Sequence, residues 1–347
     1  MNIKSEEKIL VALSGGVDSS TTAALLKEAN FDVETAIMVF EGVQQEEIDI
    51  ARSAAQSLKI PFHCFDFSEP YKNIIVDNFI QEYKLGRTPN PCILCNKHIK
   101  FDLFLQKAEA MGMSKIATGH YAGIEEKNGR YLLMRGKDRN EQSYFLYQLR
   151  QKQLSKILLP LAGYNKKKVR ELAHAYNLPT ANRKKSQDVC FIPDGNHTAY
   201  FKKILQPIPG PIMDKSEKVI GEHKGIFHYT FGQRRGIRIS HKSPYYVIKI
   251  DAKKNAIYVG EKSDVYKSKL IATDLNFIPF DLLEQRLEVM ARHRYISPLA
   301  AAILEPLTKD KVKVIFKKPQ WALTPGQSVV FYQDEIVLGG GIIEEIS

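Results

Sequence analysis

The chain has 347 residues, of which 44% are hydrophobic, enough apolar material for more than one core and a natural division into two or three domains. No run approaches the roughly 18 apolar residues of a membrane span, and the mixed polar stretch Met1–Lys8 lacks the apolar core of an export signal, so a cytoplasmic chain with no membrane partner is expected. The formal net charge of +11 points to a polyanionic partner.

The elements follow in chain order. Lys8–Leu13 is a short apolar run that predicts a buried strand. It ends in the loop Ser14–Ser19 and leads to a helix over Ser20–Asn30. Strands are predicted at Val33–Phe40, Pro61–Phe67 and Ser114–Thr118, with helices at Glu46–Lys59, Lys72–Leu85 and Asn96–Met111. This alternation predicts an α/β fold with a parallel sheet and right-handed crossovers. Asn128-Gly129 within Tyr121–Met134 is a hairpin signal. Lys166–Tyr176 reads as an amphipathic helix with a basic outer face. Pro207-Ile208-Pro209-Gly210-Pro211 reads as a linker, and Ile212–Ser268 as a small mixed connector. Strands at Tyr245–Ile250, Ala256–Val259, Arg286–Ala291, Lys311–Phe316, Ser328–Tyr332 and Ile336–Ile343 predict a C-terminal β-barrel or sandwich. The basic residues are grouped: Lys166–Lys168 with Arg170, Arg183–Lys185, Arg234-Arg235 with Arg238, and Arg292 with Arg294. Singly each is an ordinary solvated face; together they suggest an extended phosphate-binding track.

Two motifs carry chemistry. The first is Ser14-Gly15-Gly16-Val17-Asp18-Ser19-Ser20 between a strand and a helix. Its glycines let the backbone approach a phosphate, and the free N–H groups of a first helical turn bind an anion. Ser14, Ser19 and Ser20 add hydroxyl donors, and Asp18 is placed to help hold Mg²⁺ beside the phosphates. No Gly-Lys-Ser/Thr follows, so the loop is not of the Walker type. The string resembles the pyrophosphatase loop of the adenylating N-type ATP hydrolases, which implies cleavage of ATP to AMP and pyrophosphate with adenylation of a carbonyl oxygen. Met38, at the end of the second strand, reads equally as an adenine contact and as a core methionine.

The second motif is Asn90-Pro91-Cys92-Ile93-Leu94-Cys95, with Lys97, His98 and Lys100 just beyond it. Four cysteines at such uneven spacing do not make a disulfide framework. A helix start and nearby cations predict a lowered thiol pKa and a nucleophilic Cys95. Cys190 lies far away in sequence, and Cys64, in a predicted central strand, reads as a core thiol. Two arrangements of Cys92, Cys95 and Cys190 stay open. In one, Cys190 carries a persulfide and Cys95 activates it or forms a disulfide with it. In the other, three thiolates hold a 4Fe-4S cluster with one iron free for sulfide. Zinc with His98 as fourth ligand is a further arrangement, but a closed site would leave no reactive thiol.

Taken in order, Ser14–Ser20, Thr88–Phe101, Thr118-Gly119-His120-Tyr121, Gln142-Ser143-Tyr144-Phe145-Leu146, Ser186–Phe191 and Phe231-Gly232-Gln233-Arg234-Arg235-Gly236 resemble the bacterial tRNA-specific 2-thiouridylases over nearly the full length. The resemblance implies an adenylating α/β domain (1–206), a small mixed central domain (207–270) and a C-terminal β-barrel (271–347). It implies ATP-dependent formation of 2-thiouridine at the wobble position of Lys, Glu and Gln tRNAs, with Asp18, Cys95 and Cys190 as catalytic residues. Ala12, Leu13, Ser14, Gly15, Gly16, Val17, Asp18, Ser19, Met38 and Gly119 would contact ATP. Asn90, Pro91 and Cys92 would line the target base, and His120, Asn140, Glu141, Gln142, Arg294, Tyr295 and Gln327 would touch the tRNA anticodon stem-loop. A sulfur-donor protein, a cysteine desulfurase or a sulfur relay carrier, would load the enzyme. Two departures stand out. Many members have aspartate where this chain has Cys92, which adds weight to the cluster, and Asn140-Glu141 replaces a common Lys-Asp pair. The 4-thiouridine synthases, lysidine synthases and argininosuccinate synthases share the loop but lack the Asn-Pro-Cys-x-x-Cys segment paired with a distant cysteine. A non-enzymatic RNA-binding protein with a relict nucleotide site is the remaining rival.

The chemistry asks for these parts. A uracil carbonyl is a poor electrophile with a poor leaving group, and an adenylated oxygen removes both obstacles. The loop then stabilises departing pyrophosphate by position and charge. The base must leave its stack, which an already splayed anticodon loop makes easier.

Overall fold

The computed structural model describes residues 7–183, 189–192, 195–240 and 242–347, with the Thr198 side chain left aside. The chain divides into two units: Met1–Ile75 with Cys92–Phe191 and Glu335–Leu338, and Val76–Pro91 with Ile192–Asp334 and Gly339–Ser347.

The first unit begins with β1 (Lys8–Ala12), α1 (Val17–Glu28), β2 (Asp32–Val39), α2 (Gln45–Ser57) and β3 (Phe62–Asp66). With β4 (Lys115–Ala117) and β7 (Ile157–Leu158) these strands form a parallel sheet in the order β3-β2-β1-β4-β7. β1 is central, and Ile9, Leu10 and Val11 are wholly buried. A strand covered on both faces has no reason to alternate, hence the continuous apolar run. Ala23 and Leu26 of α1 pack with Ile9 and Val11, while Ala51, Ala54 and Ala55 of α2 pack with Leu13 and Ile37. Helix α1 is unusual in burying Ser20, Thr21 and Thr22 completely. Their hydroxyls donate to the carbonyls four residues back, on Gly16, Val17 and Asp18, at 3.0, 2.8 and 2.9 Å, so no donor is lost in the interior. Ser20 is thereby turned inward and does not add a donor at the phosphate loop.

β3 is an edge strand, and Cys64 is exposed on it. The expectation of a core thiol in a central strand is corrected: the strand order leaves β3 with one neighbour and an open side.

After β3 the chain forms α3 (Ser68–Tyr71), a π-helical segment (Lys72–Val76) and α4 (Asp77–Lys84), so the helix expected from Lys72 starts a turn earlier. α5 (Pro91–Leu94) passes through a π-helical segment (Cys95–Leu103) into α6 (Phe104–Ala110). The helix expected from Asn96 thus starts at Pro91, where a proline at the first helical position loses no hydrogen bond. Next comes the hairpin of β5 (Ala122–Lys127) and β6 (Arg130–Arg135). Asn128 and Gly129 sit at φ 54° and 73° between the paired Lys127 and Arg130, as a primed two-residue turn requires. The short helix α7 (Gln151–Leu154) precedes β7, and α8 (Lys166–Ala175) buries Val169 and Ala173. Ile336 and Val337 pair with Met134 and Leu133 of the hairpin.

The second unit holds α4, α9 (His197–Ile204) and a mixed sheet of β8 (Gly210–Met213), β9 (Val219–His223), β10 (Tyr246–Asp251) and β11 (Ala256–Gly260), in the order β10-β11-β8-β9. Gly210 and Pro211 are strand residues paired with His223 and Glu222, so the expected linker Pro207–Pro211 is half strand; Pro211 sits at the start of β8, before Ile212 and Met213 pair with β11. A six-stranded barrel follows: β12 (Tyr266–Phe277), β13 (Leu287–Arg292), β14 (Ala300–Thr308), β15 (Lys311–Trp321), β16 (Ser328–Gln333) and β17 (Ile336–Ile346). β12–β17 pairing closes it. β12 and β14 went unread in the sequence because register shifts in β12 and Pro306 in β14 interrupt the alternation. Among the described residues no helix is long and apolar enough to cross a membrane.

Candidate active site

β1 has β2 on one side and β4 on the other, so the crevice beyond its carboxyl end is the switch point of the sheet, where such folds bind ligands. The loop after β1 fills that position. Gly16 is the N-cap of α1, and the first-turn N–H groups, with the positive end of the helix dipole, face outward for an anion. The Ser14 N–H donates to Ser19 Oγ at 3.1 Å, and the two hydroxyls lie 3.2 Å apart. Gly119, just after β4, packs on this loop. A Cβ there would come within 2.8 Å of the Asp18 carbonyl carbon and 2.9 Å of the Ser19 nitrogen, closer than any real side chain sits. Ala12 and Leu13 are buried, so only their backbone is available to a nucleotide. Met38 is half-buried on β2 beside Phe65.

Asp18 is the electrostatic centre. Lys166 Nζ donates to both of its carboxylate oxygens, at 2.6 and 2.7 Å, and the Tyr121 hydroxyl donates to Oδ1 at 2.7 Å. Burial, then the Asp18 charge, pushes the Tyr121 phenol far above its usual range, so it remains a donor. Lys166 is itself fixed: its backbone N–H donates to Asp138 at 2.7 Å. On the other flank the Arg183 guanidinium donates to the Gly15 carbonyl at 2.9 Å and lies 3.7 Å from Glu47. Lys166 and Arg183 were expected in an RNA-binding track. The structure instead sets both against the phosphate loop; Lys184, Lys185 and Ser186–Asp188 lie outside the described residues. Asp18 Oδ2 keeps one lone pair beyond its Lys166 contact, which suits a Mg²⁺ ion carried on phosphates.

The sulfur centre lies in the same unit. Cys95 is buried, whereas Cys92 and Cys190 are exposed. The Tyr71 hydroxyl lies 2.9 Å from Cys190 Sγ. The Tyr71 ring stacks on Phe40 at 4.1 Å and meets the edge of Phe191. Gly42, at φ 97°, accommodates the Cys190 carbonyl, which a Cβ would meet at 2.2 Å. Burial pushes the Cys95 thiol up to about 12; Lys100 opposes that, while Cys190 and Cys92 add to it. The expectation of a lowered Cys95 pKa is thereby corrected: the helix start and a lysine do not outweigh desolvation and two neighbouring sulfurs. The Cys92 thiol is raised for the same leading reason, although part of the residue faces solvent. Among the described residues no three His, Cys, Asp or Glu side chains converge as a metal-ligand set. Cys92, Cys95 and Cys190 are close enough to oppose one another's ionisation but do not form a cluster site in this arrangement, and neither does a zinc set with His98.

The residues expected at RNA divide. Asn140 is exposed, its side chain turned back to Asp138 at 3.0 Å. Glu141 is buried, accepts from the Ser143 backbone and hydroxyl, and lies 3.7 Å from Arg135, so its carboxylate faces inward and an RNA contact through it is corrected. Gln142 accepts from the Tyr121 N–H at 3.1 Å. His120 is bonded to Thr118 at 2.7 Å, and burial, then Lys100, lowers its pKa to about 3, so the ring is neutral at physiological pH. In the second unit, Gln327 Nε2 donates to the carbonyls of Thr88 and Pro89 at 2.8 and 3.2 Å. Its amide nitrogen holds the chain leading to half-buried Asn90 and buried Pro91. Arg294 donates to Thr324 at 2.5 Å, and Tyr295 beside it is half-buried. Tyr71, Gly42, Lys166, Arg183 and Tyr121 were not singled out as site residues from sequence; each reaches its place through a contact far away in the chain.

A strand–loop–helix anion cradle at the switch point of a five-stranded parallel sheet defines an adenylating nucleotide-binding protein of the HUP class. Residues 7–194 match the family described as the tRNA methyl transferase HUP domain, 198–261 its PRC-barrel domain, and 267–343 the aminomethyltransferase beta-barrel domain. The chain is 47% identical to the tRNA-specific 2-thiouridylase MnmA of Clostridium beijerinckii, over 98% of this chain and 99% of that protein. It is 44% identical to that of Carboxydothermus hydrogenoformans, over 99% of this chain and 100% of the relative. The protein belongs to the tRNA-specific 2-thiouridylases, a family of tRNA sulfurtransferases. A solved U34-tRNA thiolase, NcsA of Methanococcus maripaludis with its 4Fe-4S cluster, is similar at 18% identity and a TM-score of 0.37, over 57% of this chain and 66% of that one, a likeness too slight to bear on the site.

Proposed function

We propose that this enzyme uses ATP to convert the wobble uridine of tRNA(Lys), tRNA(Glu) and tRNA(Gln) to 2-thiouridine, in the cytoplasm, with sulfur delivered by a cysteine desulfurase or relay carrier. The observation that carries the reading is that the phosphate loop after β1 and the thiols of Cys92, Cys95 and Cys190 belong to one unit. The proposed division of labour is 1–206 for adenylation and sulfur transfer, 207–270 as connector and 271–347 for tRNA contact.

In the first step the uridine O2 attacks the α-phosphate of ATP, and pyrophosphate leaves. The first-turn N–H groups of α1 and the hydroxyl of Ser14 take the charge of the departing group, while the Ser19 hydroxyl donates to the Gly16 carbonyl and shapes the loop. Asp18 would hold Mg²⁺, which neutralises phosphate charge when bound, and Lys166 and Arg183 supply fixed positive charge on either flank. In the second step the terminal sulfur of a Cys190 persulfide attacks C2 and AMP leaves. The uridine is then joined to Cys190 through a disulfide. Cys95 attacks Cys190 Sγ, releasing 2-thiouridine and leaving a Cys95–Cys190 disulfide, which an external dithiol reduces. The raised pKa of Cys95 keeps that thiol protonated, and so unreactive, until its proton is removed during turnover. Among the described residues the thiols do not converge as a cluster site, and the proposed sulfur transfer runs through Cys190 and Cys95.

The test is incubation of the enzyme with ATP, a tRNA(Lys) transcript and a persulfide donor. Pyrophosphate released only with tRNA, together with 2-thiouridine in the digested RNA, is expected. Pyrophosphate release that is indifferent to tRNA, with no thiolated nucleoside, overturns the reading.

A further inference from the structure

Nothing in the reaction above uses the tyrosine that touches Cys190. Tyr71 is almost completely buried, 1% exposed, in a place where a phenylalanine would satisfy every apolar neighbour. Its ring lies flat on Phe40, with an interplanar angle of 7°. Phe191, next to Cys190 in the chain, meets it nearly at right angles. Such a ring has no room to turn its hydroxyl elsewhere. The hydroxyl ends 2.9 Å from Cys190 Sγ, and the Cys190 carbonyl packs closely on Gly42, where no Cβ would fit. One hydrogen-bond contact and one close backbone approach therefore set an exposed sulfur against a buried phenol.

We propose that Tyr71 is a positioning residue for sulfur transfer: its hydroxyl donates a hydrogen bond to Cys190 Sγ, stabilises the thiolate that takes up sulfur, and holds it facing solvent. The inference rests on the assignment of Cys190 as sulfur carrier. Direction follows from chemistry. Burial, and then the nearby cysteines, push the phenol far above its ordinary range, so Tyr71 keeps its proton and acts as donor. A sulfur anion accepts that bond more strongly than a thiol does, so the contact favours ionisation. Of the three thiols, Cys190 alone carries this phenol contact among the described residues, and it is exposed where a carrier can reach it.

The experiment is the pH dependence of alkylation by iodoacetamide, resolved by peptide mass spectrometry, on the full-length enzyme without ATP or tRNA. Tyr71→Phe keeps the ring and its stack and removes only the donor. The Cys190 alkylation midpoint should rise by about one pH unit, an about tenfold slower reaction at neutral pH, with the Cys92 and Cys95 profiles moving less. Gly42→Ala, which drives the Cys190 backbone away without touching the phenol, should raise the same midpoint and serves if Tyr71→Phe is unstable. Superimposed Cys190 profiles in wild type and the folded variants overturn the proposal. The assay contains no nucleotide or RNA, so failure of the thiolation reading would show separately, as absent tRNA-dependent pyrophosphate release by the wild-type enzyme.

Discussion

The phosphate loop and the sulfur centre share a unit but are built on opposite electrostatic plans. At the loop every charge is answered: Asp18 by Lys166 and Tyr121, the Gly15 carbonyl by Arg183, and Arg183 by Glu47. At the sulfur centre the thiols oppose one another's ionisation, and Cys95 is kept protonated by burial. Preorganised charge suits a step whose transition state carries dispersed negative charge throughout. A buried, protonated Cys95 suits a thiol that must be inert between turnovers and ionise only on demand.

Substitutions can break the two plans separately. Cys190→Ser should abolish thiolation, by at least about 10³-fold, while tRNA affinity in a filter-binding assay stays within about twofold; the serine is nearly isosteric and Cys190 lies outside the basic groups. Normal thiolation by that variant would remove Cys190 from the chemistry. Asp18→Ala should lower tRNA-dependent pyrophosphate release by about 10²-fold or more, since it frees Lys166 and Tyr121 as well as removing the metal-facing carboxylate. Unaltered release would mean that the charge network is structural. Gly119→Ala should raise the KM for ATP by about tenfold, because the added methyl must push the loop at Asp18 and Ser19, while alkylation of Cys190 stays as in wild type. If alkylation changed instead, the two centres would not be separable.

A fourth prediction concerns stability. Burial lowers the pKa of His120 to about 3, and burial and then Arg294 lower that of His293 to about 4. The unfolded chain binds these protons near 6.5, so it takes up protons first as pH falls. The stabilisation is complete above about pH 6.5 and is lost through the interval down to about 3–4, at roughly 1.4 kcal/mol for each unit of depression. Thermal melts should show Tm falling across that window. His293→Phe, at a site 4% exposed, should make the fall shallower; an unchanged slope would exclude His293 as a source.

The parallel sheet was legible because β1 is an unbroken apolar strand followed by a glycine–serine loop, and the hairpin because Asn128-Gly129 fits one turn type. Cys92, Cys95 and the phosphate loop stood out by spacing. Tyr71 did not: in sequence it is one aromatic at a helix start, and its partner Cys190 is 119 residues away. Lys166 was read as one lysine among three on a basic face, since its bond to Asp18 spans 148 residues. Burial was equally hidden, which is why Cys64 was read as core, Cys95 as acidic and Glu141 as an RNA contact. Local pattern reports period and propensity, while thiol pKa and carboxylate direction depend on tertiary neighbours.

The most direct test of the central claim follows the oxygen. A tRNA(Lys) transcript carrying heavy oxygen at C2 of the wobble uridine is thiolated in a single turnover, and the released AMP and pyrophosphate are weighed by mass spectrometry. Adenylation of the carbonyl oxygen predicts the heavy atom in AMP, one for each 2-thiouridine formed. Heavy oxygen in water or pyrophosphate, with AMP unlabelled, would contradict it.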